Sequence, residues 1–186
     1  MNNKTLLETT DTKWKILRAA AHIINTIGVS SLTLEAVAKE AQISKGGLLY
    51  HYSSKDALLE GMNAYLMQGY VDDVERIAKE DPCEQGKWSR AYILKTFNHL
   101  NKEFDMNVAF MSAVATNPKW LKAMTECLQV LQVRMENDHL DPTVSTIIRL
   151  AVDGIYFNHL YGMDLNEDVR EKVLRYLISL TEEHAQ

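Results

Sequence analysis

Residues 44–52, Ser-Lys-Gly-Gly-Leu-Leu-Tyr-His-Tyr, gather a hydroxyl, an ammonium, two glycines, an imidazole and two phenols into nine positions. Ser44 and Lys45 can donate to phosphate oxygens or to base edges. Tyr50 and His51 add aromatic donors, and Gly46 and Gly47 let a backbone come close to the duplex. Leu49 lies on the same segment beside Tyr50. This is chemistry for holding DNA, not for breaking bonds. The chain has no GxSxG, HExxH or P-loop, so no catalytic residue is assigned. The adjacent pairs Asp72-Asp73 and Glu182-Glu183 point to different sides of a helix and read as solvated.

Such a segment needs outside support. Helices shorter than about 12 residues are marginal in water, and each interior glycine costs about 1 kcal/mol against alanine. Ser44 offers an N-cap for it. The support lies upstream, where Leu34, Val37, Ala38 and Ala41 make one apolar helical face behind an N-cap at Thr33. Ala41-Gln42-Ile43 is too short for a free loop, so the spacing predicts a helix-turn-helix with the second helix in the major groove. Thr33 is both a cap and a candidate phosphate donor. Lys55 opens the next helix beside caps at Ser53 and Ser54, where amides and ammonium together would hold a phosphate.

The run Ile27-Gly28, Leu32-Thr33-Leu34, Val37-Ala38, Ala41, Ile43-Ser44-Lys45-Gly46-Gly47-Leu48, His51-Tyr52 and Ser54-Lys55-Asp56-Ala57-Leu58-Leu59 resembles the TetR-type bacterial transcriptional regulators over about the first third of the chain. Leu49 stands where that family usually has Tyr, and Ser53 where it often has Pro. The resemblance implies a core role for Tyr52, an effector pocket in the body, and a four-helix dimer interface.

Charge agrees with a head that touches DNA at one end. The net charge is -5, yet residues 1–55 carry seven Lys/Arg against four Asp/Glu, while the rest carries 13 against 21. Cys83 and Cys127 show neither metal nor disulfide spacing, so no metal or cofactor is expected. No apolar run approaches a membrane span and no leader is visible, which reads as cytoplasmic.

The 3.6-residue periodicity predicts an all-α chain of about nine helices; the resemblance implies its division into a three-helix DNA-binding head at 1–55 and an effector-binding and dimerisation body at 56–186. Residues 1–10 read as a polar arm. A helix over 12–27 shows Trp14, Leu17, Ala20, Ala21, Ile24 and Ile27, with Lys13, Lys15 and Arg18 off that stripe. A rod over 54–80 links head to body. Helices follow at 87–104, 108–115, 117–137, 141–161 and from Asn166, started by caps or prolines and stopped by glycines.

The effector site is assigned to Met62, Tyr65, Leu66, Phe97, Leu100, Phe104, Phe110, Met111, Trp120, Met124 and His159. Their methionine and aromatic content makes an adaptable apolar wall. Phe157 is a further aromatic candidate and Gln68, Asn98 and His99 are further polar ones, and simple core filling is the competing reading for the apolar members. Ile147, Ile148, Ala151, Ile155, Val173, Tyr176, Leu177 and Leu180 exceed what one internal face needs, and the resemblance assigns them to the dimer interface. Together these expectations describe a homodimeric repressor on an inverted-repeat duplex, released by a small, mostly apolar effector. The alternative is a ligand-independent regulator controlled by a protein partner.

Overall fold

The computed structural model describes residues 3–100 and 118–182. Among them are eight α-helices, one 3-10 turn and no strand. The helices are α1 (Asn3–Ile27), α2 (Leu34–Glu40), α3 (Lys45–His51), α4 (Lys55–Glu80), α5 (Lys87–His99), α6 (Pro118–Glu136), α7 (Pro142–Leu160) and α8 (Glu167–Ser179), with the 3-10 turn at Val29–Ser31. The expected piece at 108–115, the cap at Asn117 and the end of the fifth helix near Phe104 lie outside the described residues. Two compact units emerge: residues 3–67 with 118–124, and residues 68–100 with 125–182.

Helix α1 starts at Asn3, not at Thr12. No Gly or Pro interrupts residues 3–27, so the helix runs past the expected start and includes most of the expected polar arm. It ends at Gly28, whose φ of 85° suits only glycine well, and whose amide donates to the Ile24 carbonyl at 3.0 Å. Its buried face is Ile16, Leu17, Ala20, Ala21 and Ile24. Trp14 and Ile27, expected on that stripe, are exposed. Against this face pack Leu32, Val37 and Ala38, then Leu48 of α3 and Leu58, Leu59 and Met62 of α4.

The turn between α2 and α3 is held by an Ile43 amide bond to the Ala38 carbonyl at 3.0 Å. It places Gln42 at φ 55°, a left-handed conformation that costs a non-glycine residue about 1 kcal/mol. Farther on, Gly61 faces the Tyr52 ring. A Cβ there would lie 2.3 Å from Tyr52 Cε1, so the glycine is what lets α4 cross the end of α3 this closely.

The second unit has another kind of core. Helix α5 starts at Gly86 with no side-chain cap of its own. Asp138 supplies it from the connection before α7, accepting from the Trp88 amide at 3.0 Å and the Ser89 amide at 2.8 Å. Burial pushes the Asp138 carboxyl above the usual range, and the two amides oppose that shift. Arg90 is buried and donates to Asp81 at 2.6 Å, to the Cys83 carbonyl at 2.8 Å and to Thr181 at 3.2 Å. Tyr92 donates to Asp153 at 2.5 Å, and Tyr70 shares a bond with Thr96. Burial drives both phenol pKa values far upward, so both rings stay protonated.

Candidate nucleic-acid interface

Both predicted caps form. Thr33 Oγ1 accepts from the Ala36 amide at 3.1 Å, and Ser44 Oγ accepts from the Gly47 amide at 3.0 Å. Accepting uses a lone pair and leaves each O–H able to donate outward. Both residues are exposed, as are Lys45, Gly46, Leu49 and Tyr50. Leu48, in their midst, is fully buried and anchors the helix. Seven residues of α3 therefore hang on one leucine, two caps and α2, with the opposite face open to solvent.

The two glycines differ. A Cβ at Gly47 would sit 3.2 Å from Ser44 Oγ, crowding the cap. A Cβ at Gly46 would meet nothing within 4 Å. The fold does not require a glycine at 46, so the space it leaves is free for a partner backbone.

Tyr50 is 83% exposed and meets His51 edge-on at 5.2 Å between ring centroids. Partial burial, together with the Lys13 ammonium, holds the His51 imidazole below its ordinary pKa. Lys13 and His51 are thus neighbours across 38 residues, a proximity no local pattern carries. Lys55, expected to hold a phosphate, is half-buried, and its ammonium donates to the Val29 carbonyl at 2.8 Å. Lys13 also lines an open groove of about 670 Å³ with Trp14, Leu17, Tyr52, Gly61 and Tyr65.

The described effector candidates fall in both units. Met62 is fully buried in the first unit's core, with Leu66 packed against it. Tyr65 is half exposed and stacks beside Trp14 at 5.4 Å. Phe97 is in the second unit's core, and Leu100 is buried beyond the C-terminus of α5. His159 pairs with Asp164 at 2.7 Å near the end of α7, and Met124 is half-buried in α6. Phe104, Phe110 and Met111 lie outside the described residues, as do the side chains of Trp120 and His99. Gln68 bonds Asp72 on an exposed face, and Asn98 is exposed. What the sequence did not show is the polar set Tyr70, Tyr92, Thr96, Arg149 and Asp153, brought together from α4, α5 and α7.

The residues assigned to the dimer interface are placed as follows in the protomer. Ile148 is 0% exposed and Leu177 is buried in the protomer's own core, with Ala151, Ile155, Val173 and Leu180 packed against it. Of the eight, Ile147 and Tyr176 stand well out into solvent. The outward stripe of α7 is Ile147, Leu150, Phe157 and Tyr161, spaced 3, 7 and 4 residues apart. A helix apolar on two faces gives periodicity no means of saying which face points inward.

Two family models cover the chain. Residues 16–62 match the bacterial regulatory proteins of the tetR family, and residues 86–182 match the tetracyclin repressor-like C-terminal domain. The HTH-type transcriptional regulator SrpR of Pseudomonas putida is 31% identical over 64 residues, 34% of this chain and 30% of SrpR, so the match spans less than a third of that relative's length. The multidrug binding protein EbrR, in complex with malachite green, has the same fold: TM-score 0.66 at 20% identity, covering 91% of this chain and 97% of EbrR. A TetR-family transcriptional regulator of Streptomyces coelicolor superposes with TM-score 0.71 at 19% identity, over 95% of this chain and 97% of its own. With one model on the reading segment and another on more than half the sequence, the chain belongs to the TetR family of bacterial regulatory proteins, DNA-binding regulators of transcription rather than enzymes.

Proposed function

We propose that the protein is a cytoplasmic, homodimeric repressor whose α3 reads an inverted-repeat operator, with Thr33, Ser44, Lys45, Gly46, Gly47, Leu49, Tyr50 and His51 at the duplex. The observation that carries this reading is the open face of α3: donors and a free glycine outward, one buried leucine inward. A C2 dimer presents two such helices to half-sites one helical turn apart or a multiple of it. The exposed apolar side chains Ile147, Leu150 and Phe157 of α7, Tyr161 just beyond it and Tyr176 of α8 support a self-complementary contact, because apolar side chains gathered on one helix face are costly to leave in water.

The effector reading is a small, mostly apolar compound. EbrR has been crystallised with malachite green and with ethidium, which supports an aromatic ligand for a chain of the same fold. Release requires that the ligand favour one head spacing over the other, since only differential affinity moves the equilibrium. Control by a protein partner is the second reading. It is favoured by Met62 and Phe97 each being used to fill a core.

Selecting duplexes from a random pool at near-physiological salt tests the function. Enrichment of an inverted repeat is expected, and no enrichment by a folded dimer overturns the reading. Gly46→Ala sharpens it. Alanine suits a helix better and meets no neighbour, so thermal stability should rise slightly while operator affinity falls about tenfold. Unchanged affinity would remove Gly46 from the interface.

A further inference from the structure

Trp14 of α1 and Tyr65 of α4 both face water, and their ring centroids lie 5.4 Å apart. With the buried Leu17 and Tyr52 they line the open groove of about 670 Å³ in the first unit. That volume falls within the roughly 300–1,000 Å³ of small-molecule sites, and the lining is mostly apolar, as in such sites. Aromatic surface gathered at a concavity of this size marks a binding surface. The charges at the groove decide what covers it. Asp11 is already paired with Lys15 at 2.7 Å. Lys13 pairs with no carboxylate among the described side chains, and its ammonium faces the His51 imidazole, a second group that can only add positive charge. An anion at Lys13 would therefore meet attraction and displace no internal partner.

We propose that this groove binds a planar aromatic carboxylate, with the ring against Trp14 and Tyr65 and the carboxylate on Lys13. The ring replaces water on two aromatic side chains, a contact worth more than its area alone, and the charge-assisted bond to the ammonium fixes the orientation. Of the effector candidates, Tyr65 is the one that lines the groove, so the site is separate from any built on Phe97 or His159. Because Lys13 neighbours His51 of α3, a bound carboxylate also removes positive charge beside the reading helix and weakens the hold on a duplex. That consequence rests on α3 being the reader; the site does not.

Indole-3-acetate, indole-3-acetamide and tryptamine share a ring system and differ in charge. Titrated into the isotope-labelled full chain, the acetate should shift the Trp14 and Tyr65 amide resonances with a dissociation constant of about 1 mM or tighter, and bind about tenfold better than the amide or the amine. Lys13→Met should weaken the acetate about tenfold and leave the amide unchanged, while Trp14→Ala should weaken both, with the melting temperature of Lys13→Met kept to show an intact fold. No shift at Trp14 or Tyr65 with about 10 mM acetate overturns the site. So does an acetate affinity that Lys13→Met leaves intact. An amine held as tightly as the acid overturns the assigned charge. Saturating acetate should weaken binding to a duplex about fivefold at near-physiological salt in the wild type and not in Lys13→Met, and an unchanged affinity overturns the link to DNA. If the wild-type protein holds no duplex, the DNA reading fails, and the mapped shifts still decide the site.

Discussion

The two units are stabilised by different means. In the first, the core is nearly all aliphatic, and the caps that shape it are short in sequence, Thr33 to Ala36, Ser44 to Gly47 and Ser54 to Ala57, with Lys55 to Val29 as a longer reach of 26 positions. In the second, Ser89, Arg90, Thr96, Asp138, Ser145 and Thr181 are all buried, and two of the bonds among them reach far along the chain, 49 residues from the Ser89 amide to Asp138 and 91 from Arg90 to Thr181. A short helical head can be specified locally because caps and one apolar stripe decide it. A body whose helices are apolar on more than one side needs polar bonds in the core to choose among packings. That choice has a cost in sensitivity, since a buried polar group left alone is expensive.

The largest break in this contrast is Arg90→Met. It leaves Asp81 largely buried without its partner, and it should lower stability by about 3 kcal/mol in a chemical denaturation series. A loss under about 1 kcal/mol would mean that the long-range bonds are decoration. Next is Gly61→Ala in the first unit. Its Cβ would overlap the buried Tyr52 ring, so the expected loss is about 2 kcal/mol from overpacking, and Gly61→Ala combined with Tyr52→Leu should recover part of it. Full tolerance of Gly61→Ala would show that the head is softer than its caps suggest.

Gly69→Ala has the opposite sign. Nothing lies within 4 Å of the added carbon, so the variant should gain about 0.5–1 kcal/mol, read as a higher melting temperature. A loss would reveal a contact made by the dimer or by a ligand at that face.

The smallest effect is the pH dependence. Lys95 holds the Asp73 carboxyl below its ordinary range. For Asp81 burial acts upward, but Arg90 and the Cys83 amide outweigh it and leave the group low. Each carboxylate therefore adds stability above its unfolded pKa that is lost as pH falls through the folded value. Asp138, raised by burial, has the reverse sign: its contribution is present at low pH and lost as pH rises through its folded value. Melting temperature should fall between about pH 5 and pH 3, and fall less in Asp73→Asn/Asp81→Asn. An equal fall in both proteins would place the acid sensitivity elsewhere.

Residue order alone determined the all-α class, the caps at Thr33, Ser44, Asp141 and Asn166, the stop at Gly28, and the helix-turn-helix with α3 as its exposed element. These are decided within four residues of chain by hydrogen-bond geometry and φ preference, so they are written where they act. Tertiary structure alone decided that Lys55 bonds Val29, that Asp138 caps a helix 50 residues away, and that Ile148 points inward while Ile147 faces water. For those, periodicity gives a helix its apolar faces, but which face is covered depends on what packs there. A side chain's partner depends on distances that only the folded chain sets.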